Sequence, residues 1–213
     1  MSSRSIAADL AAYARTRLLR LRILALGVGV GVCGAAASAL RFETLPASIA
    51  LAMALVWQFR LWDDLEDTAY DRALHPERIL VATKVPGAFR WALALSVFLF
   101  AAALAITRGP LAAAVYVALA AAAAALYRFC AARPSARLLR SHLVLAKYPV
   151  FVWLAAAHPS ALRAAMIGIG LYLALCLFEV ADDPALRASP KAWGLAIAEG
   201  IALLGVLAYG ATR

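Results

Sequence analysis

A chain of 213 residues in which 65% are hydrophobic and only 15% are charged is not an ordinary soluble domain. Its length accommodates one bundle of membrane helices and leaves no room for a separate soluble domain. The formal charge of +9 does not describe a nucleic-acid surface, because the basic residues sit in short links between apolar stretches, where they report topology.

Residues 1–20 are rich in Ser, Ala and Arg and form an N-terminal cytoplasmic segment, either a short surface helix over Ala7–Leu19 or a frayed end. Arg15, Arg17, Arg20 and Arg22 precede a full-length span with no small-residue cleavage pattern, so no secretory signal is expected. Residues 21–213 read as one transmembrane helical domain, all-α, of about seven spans. The first covers Leu21–Leu40, where Gly27, Gly29, Gly31 and Gly34 are read as packing residues, Gly27 and Gly31 at a spacing that allows close helix contact. Ala47–Trp62 is the second, followed by a polar connection from Thr68 to Pro86. Gly87–Thr107 and Leu111–Cys130 are the third and fourth, turning at Gly109–Pro110. Leu138–Ala157 is the fifth and should kink at Pro149; Ala161–Val180 and Lys191–Tyr209 complete the bundle.

With a cytoplasmic N-terminus, four of the 21 basic residues (Arg41, Arg108, Arg163 and Arg213) fall outside and the others inside, including Arg133 and Arg137 of the basic link. That asymmetry obeys the positive-inside rule and places the protein in the cytoplasmic membrane. Cys33, Cys130 and Cys176 are odd in number, far apart and without metal spacing, so they read as small buried apolar side chains. His75, His142 and His158 form no pair at helical metal spacing, and zinc is not expected.

Two acidic clusters fall on the same, cytoplasmic side. Asp63, Asp64, Asp67 and Asp71 follow the second span; on an unbroken helix they share an arc of roughly 100°, with Glu66 pointing away. Such a face repels itself unless a cation sits within it, and Mg²⁺ is the cation expected; a solvated acidic helix end is the alternative. Glu179, Asp182 and Asp183 end the sixth span at i, i+3 and i+4, before Pro184. Between the clusters a pair of divalent ions would clamp a diphosphate, with loop Arg and Lys completing the cradle. Glu199, near the middle of the seventh span, is either an acceptor-side base or a protonated acid bonded to a neighbouring helix.

The run Asp63-Asp64-x-x-Asp67-x-x-x-Asp71, with Pro76 and Arg78 close behind, resembles the first aspartate-rich motif of the UbiA family of intramembrane prenyltransferases. Glu179-x-x-x-Asp183 falls where that family carries its second motif. Tyr127 and Lys147 resemble its diphosphate-contacting Tyr and Lys. Three features depart from the pattern: Asp63 stands for the usual Asn, Glu179 for Asp, and about seven spans for nine. The resemblance implies that Mg²⁺ on Asp63, Asp64, Asp67, Asp71, Glu179, Asp182 and Asp183, with Arg78, Lys84, Tyr127, Arg128 and Lys147, holds an isoprenyl diphosphate. Asp67, Asp71 and Asp183 are its implied catalytic carboxylates. A lipophilic aromatic or other electron-rich acceptor would then attack the allylic centre, shielded by Trp57, Trp62, Phe151, Trp153 or Trp193 if these do not simply anchor or pack. A homo-oligomer, a partner subunit or lipid would close the side left by the missing helices.

Two further functions stay open: a terpene cyclase on the same scaffold, and a non-catalytic prenyl-lipid binding or assembly subunit. A CDP-alcohol phosphotransferase fits poorly, because Gly-x-x-Ala-Arg is missing after Asp67.

Overall fold

The computed structural model describes residues 5–38, 42–131 and 137–211; Arg4, Leu40, Arg41, Arg133 and Arg213, and the side chains of Cys130 and Arg137, lie outside that description. The described residues form helices and turns, with no strand among them. In order these are α1 (Ile6–Tyr13), a π-helical turn (Ala14–Leu18), α2 (Leu21–Ala37), α3 (Leu45–Glu66), α4 (Thr68–Leu74), α5 (Ile79–Ala82) and α6 (Pro86–Arg108). They continue as α7 (Pro110–Ala131), α8 (Arg137–Leu145), α9 (Lys147–Ala155), α10 (Ala161–Asp182), α11 (Pro184–Arg187) and α12 (Pro190–Ala211).

Proline sets many of the starts. Pro46, Pro86, Pro110, Pro184 and Pro190 each occupy the first or second position of a helix, where the missing N–H leaves no intrahelical bond unmade. Gly109, at φ +88°, supplies the reversal between α6 and α7 that an L side chain adopts only with strain. The connection after the second span is not a simple loop, since it contains α4 and α5.

Among the described residues six helices are long and apolar enough to cross a membrane: α3, α6, α7, α8–α9 taken through its break, α10 and α12. The pair Ile6–Leu18 and Leu21–Ala37, bent by 72°, makes a seventh if its two helices are taken as one broken span. The expected kink of the fifth span is a break at Ala146. Pro149 lacks the N–H that would bond Leu145, and its ring crowds that carbonyl, so α8 stops there and α9 restarts at Lys147.

α9 occupies the centre and packs against α2, α3, α7, α8 and α10; α6 lies outside α3 and α7, and α12 outside α10. Six residues of α9 are buried, among them Lys147, Tyr148 and Phe151. Small residues bring the inner helices together. A Cβ on Gly31 would lie 2.5 Å from Ile49 Cα, one on Gly34 2.7 Å from Ala155 Cβ, and one on Gly168 2.9 Å from Pro149 Cα. Gly29 has nothing within 4 Å, so of the four α2 glycines it is the one without a packing contact. Trp91, Leu95, Phe98 and Ile106 of α6, and Ile197, Ile201 and Leu204 of α12, are exposed, as a lipid-facing wall requires.

Polar contacts tie helices together within the bundle or at its ends. Gln58 donates to Ser96 Oγ at 2.8 Å and accepts from the Tyr116 hydroxyl, tying α3 to α6 and α7. At the opposite end from the acids, Arg108 donates to the Leu154 carbonyl at 3.1 Å, filling an acceptor that the last turn of α9 leaves open.

Candidate functional site at the charged end of the bundle

α3 does not stop at Trp62. It continues through Asp63 and Asp64 to Glu66, turns at Asp67 (φ −82°, ψ 0°), and α4 carries Asp71. By their partners the four aspartates divide into two pairs, Asp63 with Asp67 and Asp64 with Asp71.

Asp63 and Asp67 face α7, α8 and α9. Asp63 accepts from Lys147 Nζ at 2.7 Å and from the Tyr127 hydroxyl; Asp67 is paired with Arg140. Burial pushes the Asp67 carboxyl above the usual aspartate range, with Arg140 acting against it and Asp63 and Asp71 with it. Aromatic rings wall this side. Phe59 lies 5.7 Å from Trp62 and 5.0 Å from Phe151, Trp62 lies 5.8 Å from Tyr127, and Lys147 Nζ stands 5.6 Å from the Phe59 ring centre.

Asp64 and Asp71 face the N-terminal helix. Asp64, only 4% exposed, accepts from Tyr13 at 2.9 Å, Arg17 at 2.7 and 3.0 Å and Arg60 at 2.7 Å. Asp71, equally buried, is paired with Arg78. Both line a cavity of about 370 Å³ shared with Arg17, Arg20, His75 and Arg78. α1 is held to this region by a Thr83 hydroxyl donating to buried Asp9 at 2.7 Å and by Tyr13 packing edge-on against Phe89, so it is a docked element rather than a frayed end.

The remaining sequence-selected residues are spread more widely. Asp182 makes an exposed pair with Arg22 at 3.4 Å, and the Asp183 carboxylate accepts from Ala185 N–H at 2.8 Å, capping α11. Lys84 and Arg128 are exposed and pair with no described residue. Glu199, 7% exposed, meets His142 at 2.8 Å on the far side of α8 from the aspartates' partners. Arg78 and Lys147 thus belong to different networks, although the resemblance groups them.

No three carboxylates among the described residues bring their oxygens within 4.8 Å of one another. The seven acids do not form an all-protein magnesium cage. Asp63 and Asp67, one helical turn apart with the Tyr127 hydroxyl beside them, fit the other mode of Mg²⁺ binding, in which one or two carboxylates share the ion with phosphate oxygens and water. Sequence reasoning missed Tyr13, Arg17, Arg60 and Arg140 as partners of these acids. Only Arg60, four residues before Asp64 on one helix, carried a local signal.

The chain matches no protein-family profile, no curated protein and no solved structure. The likeness to intramembrane prenyltransferases rests on the motif residues alone.

Proposed function

We propose that the chain is a Mg²⁺-dependent prenyltransferase of the cytoplasmic membrane, with its N-terminus and the charged end of the bundle facing the cytoplasm. The carrying observation is the pairing of Asp63 with Lys147 and Tyr127, and of Asp67 with Arg140, beside an aromatic wall. A magnesium diphosphate has both signs of charge, so it can open these pairs and satisfy every partner: carboxylates take the metal, while Lys147, Arg140 and Tyr127 take phosphate oxygens. When bound, the metal supplies charge neutralisation of the leaving diphosphate. Lys147 and Arg140 orient the head group, and the rings of Trp62 and Phe59 shield a developing allylic cation. A groove of about 430 Å³ lined by Trp62, Leu65, Leu93, Ala94 and Val97, with Glu66 and Arg90 beside it, offers an apolar course for the prenyl chain along α3 and α6. The orientation is supported by the concentration of basic residues at the acidic end.

A second reading is favoured by one feature: Asp63, Asp64, Asp67 and Asp71 all have cationic partners already, as a charge-balanced frame without turnover would. Purified protein supplied with an allylic diphosphate, with and without Mg²⁺ and an aromatic acceptor, separates the two. Mg²⁺- and acceptor-dependent diphosphate release is the expected result. Release with a hydrocarbon product indicates cyclisation, and tight binding without release indicates a prenyl-lipid binding subunit.

A further inference from the structure

Away from the aspartates, three helices converge on a different chemistry. The ligand atoms of His142 (α8), Cys176 (α10) and Glu199 (α12) all lie within 4.8 Å of one another. Cys176 is fully buried, Glu199 is 7% exposed, and the His142 side chain is 13% exposed.

The hydrogen bonding leaves a defined gap. His142 Nδ1 lies 2.8 Å from the Leu138 carbonyl, which can only accept, so Nδ1 carries a proton and Nε2 is the ring atom left to face Glu199. Nε2 lies 2.8 Å from Glu199 Oε1, a distance that calls for a proton or a metal ion shared between the two atoms. The other carboxylate oxygen, Glu199 Oε2, is buried with no hydrogen-bond partner. An imidazole fixed through Nδ1–H to a backbone carbonyl is the arrangement found behind metal-ligating histidines.

We propose that His142, Cys176 and Glu199 bind one Zn²⁺ ion. Thiolate, imidazole and carboxylate are all zinc donors, and three protein ligands leave a fourth position for water or another small ligand. Binding releases the Cys176 thiol proton. The resulting Zn²⁺, thiolate and carboxylate sum to zero charge, which suits a site inside an apolar bundle. All three ligand atoms lie within 4.8 Å of one another, against a zinc-tetrahedron edge of about 3.5 Å from ordinary bond lengths, so the side chains need shift by no more than roughly 1 Å on binding. No sequence spacing announces the site, because each ligand comes from a different helix.

The test uses the full chain in detergent, stripped with a chelator and titrated with Zn²⁺ against a chromophoric competitor, and separately with Co²⁺. Wild type should take up one Zn²⁺ per chain and show a thiolate-to-cobalt charge-transfer band. Cys176→Ser should lose that band and bind Zn²⁺ at least about a hundredfold more weakly, a larger loss than an outer-shell partner costs. Glu199→Gln should also weaken Zn²⁺, whereas Cys33→Ser should behave as wild type. Zn²⁺ should raise the thermal midpoint of wild type and not of Cys176→Ser. Substoichiometric uptake by wild type, or equal Zn²⁺ affinity in Cys176→Ser, overturns the site and leaves a proton shared by His142 and Glu199. The wild-type cobalt spectrum decides by itself if a variant fails to fold: without the thiolate band the proposal is wrong.

Discussion

Lys147 Nζ sits 2.7 Å from Asp63 Oδ2, joining the first turn of α9 to the last turn of α3 across 84 positions of sequence. The lysine side chain is 7% exposed and the aspartate 20%, so the pair is largely withdrawn from water. The break at Ala146 turns Lys147 inward, while Arg140, still on α8, reaches Asp67. One interruption of the fifth span thus supplies the cations that face Asp63 and Asp67.

Breaking one half of that pair should cost more than removing all of it. Lys147→Met leaves a buried carboxylate uncompensated and should destabilise the protein by about 3 kcal/mol. The double variant Asp63→Asn, Lys147→Met should recover to within about 1 kcal/mol of wild type, because neither charge is then stranded. Unfolding of the purified protein in mixed micelles measures both. In the double variant, binding of an isoprenyl diphosphate should still be lost, which separates the head-group role of Lys147 from its structural one; wild-type affinity there would remove it from the proposed site.

Asp67→Ala carries the catalytic part of the proposal. Asp67 is half-exposed and at the turn between α3 and α4, so its loss should leave membrane insertion and the bundle intact while abolishing Mg²⁺-dependent turnover. Asp183→Ala should have a smaller effect on turnover, since its carboxylate is occupied at the start of α11. Diphosphate release assayed on matched amounts of folded protein distinguishes them. Unchanged turnover in Asp67→Ala would sink the metal assignment.

The apolar spans were legible because lipid imposes a length and a composition on each helix, and Ala161–Val180, for example, differs from α10 by two residues at one end. The glycine contacts of Gly27 and Gly31 were legible for the same local reason. What the sequence concealed was the partner of each charge. The arc through Asp63, Asp64, Asp67 and Asp71 is as wide as the angle between Asp63 and Asp64, and those two neighbours within α3 meet different helices. Arg17 finds Asp64 only because the chain bends by 72° before α2, a tertiary event without local signature. Glu199 drew notice as an intramembrane acid, but its neighbours His142 and Cys176 lie on separate helices, beyond any spacing rule.

The N-terminal helix is held by that same Asp64. Arg17→Leu removes two charge-assisted hydrogen bonds to a buried carboxylate, leaving Tyr13 and Arg60 to satisfy it, and should cost about 2 kcal/mol. The loss should be local. Amide exchange over Ile6–Leu18 should speed up, while α10 and α12, which lie away from α1, keep wild-type protection. Uniformly faster exchange through the bundle would mean that Arg17 supports the whole fold.

Gly29 and Gly31 offer the sharpest contrast, being two residues apart on one helix. A Cβ at Gly31 would stand 2.5 Å from the Ile49 backbone, and a backbone atom cannot swing aside as a side chain can. Gly31→Ala must push α2 and α3 apart and should destabilise by about 1–3 kcal/mol. Gly29 faces open space, so Gly29→Ala meets no obstacle and gains helix propensity, an effect between neutral and about 1 kcal/mol stabilising. Because α2 also packs on α9, separation at Gly31 should propagate to Lys147 and weaken diphosphate binding, whereas Gly29→Ala should leave it unchanged. If the two substitutions act alike in micelle unfolding, then α2 does not pack on α3 through the Gly31 face.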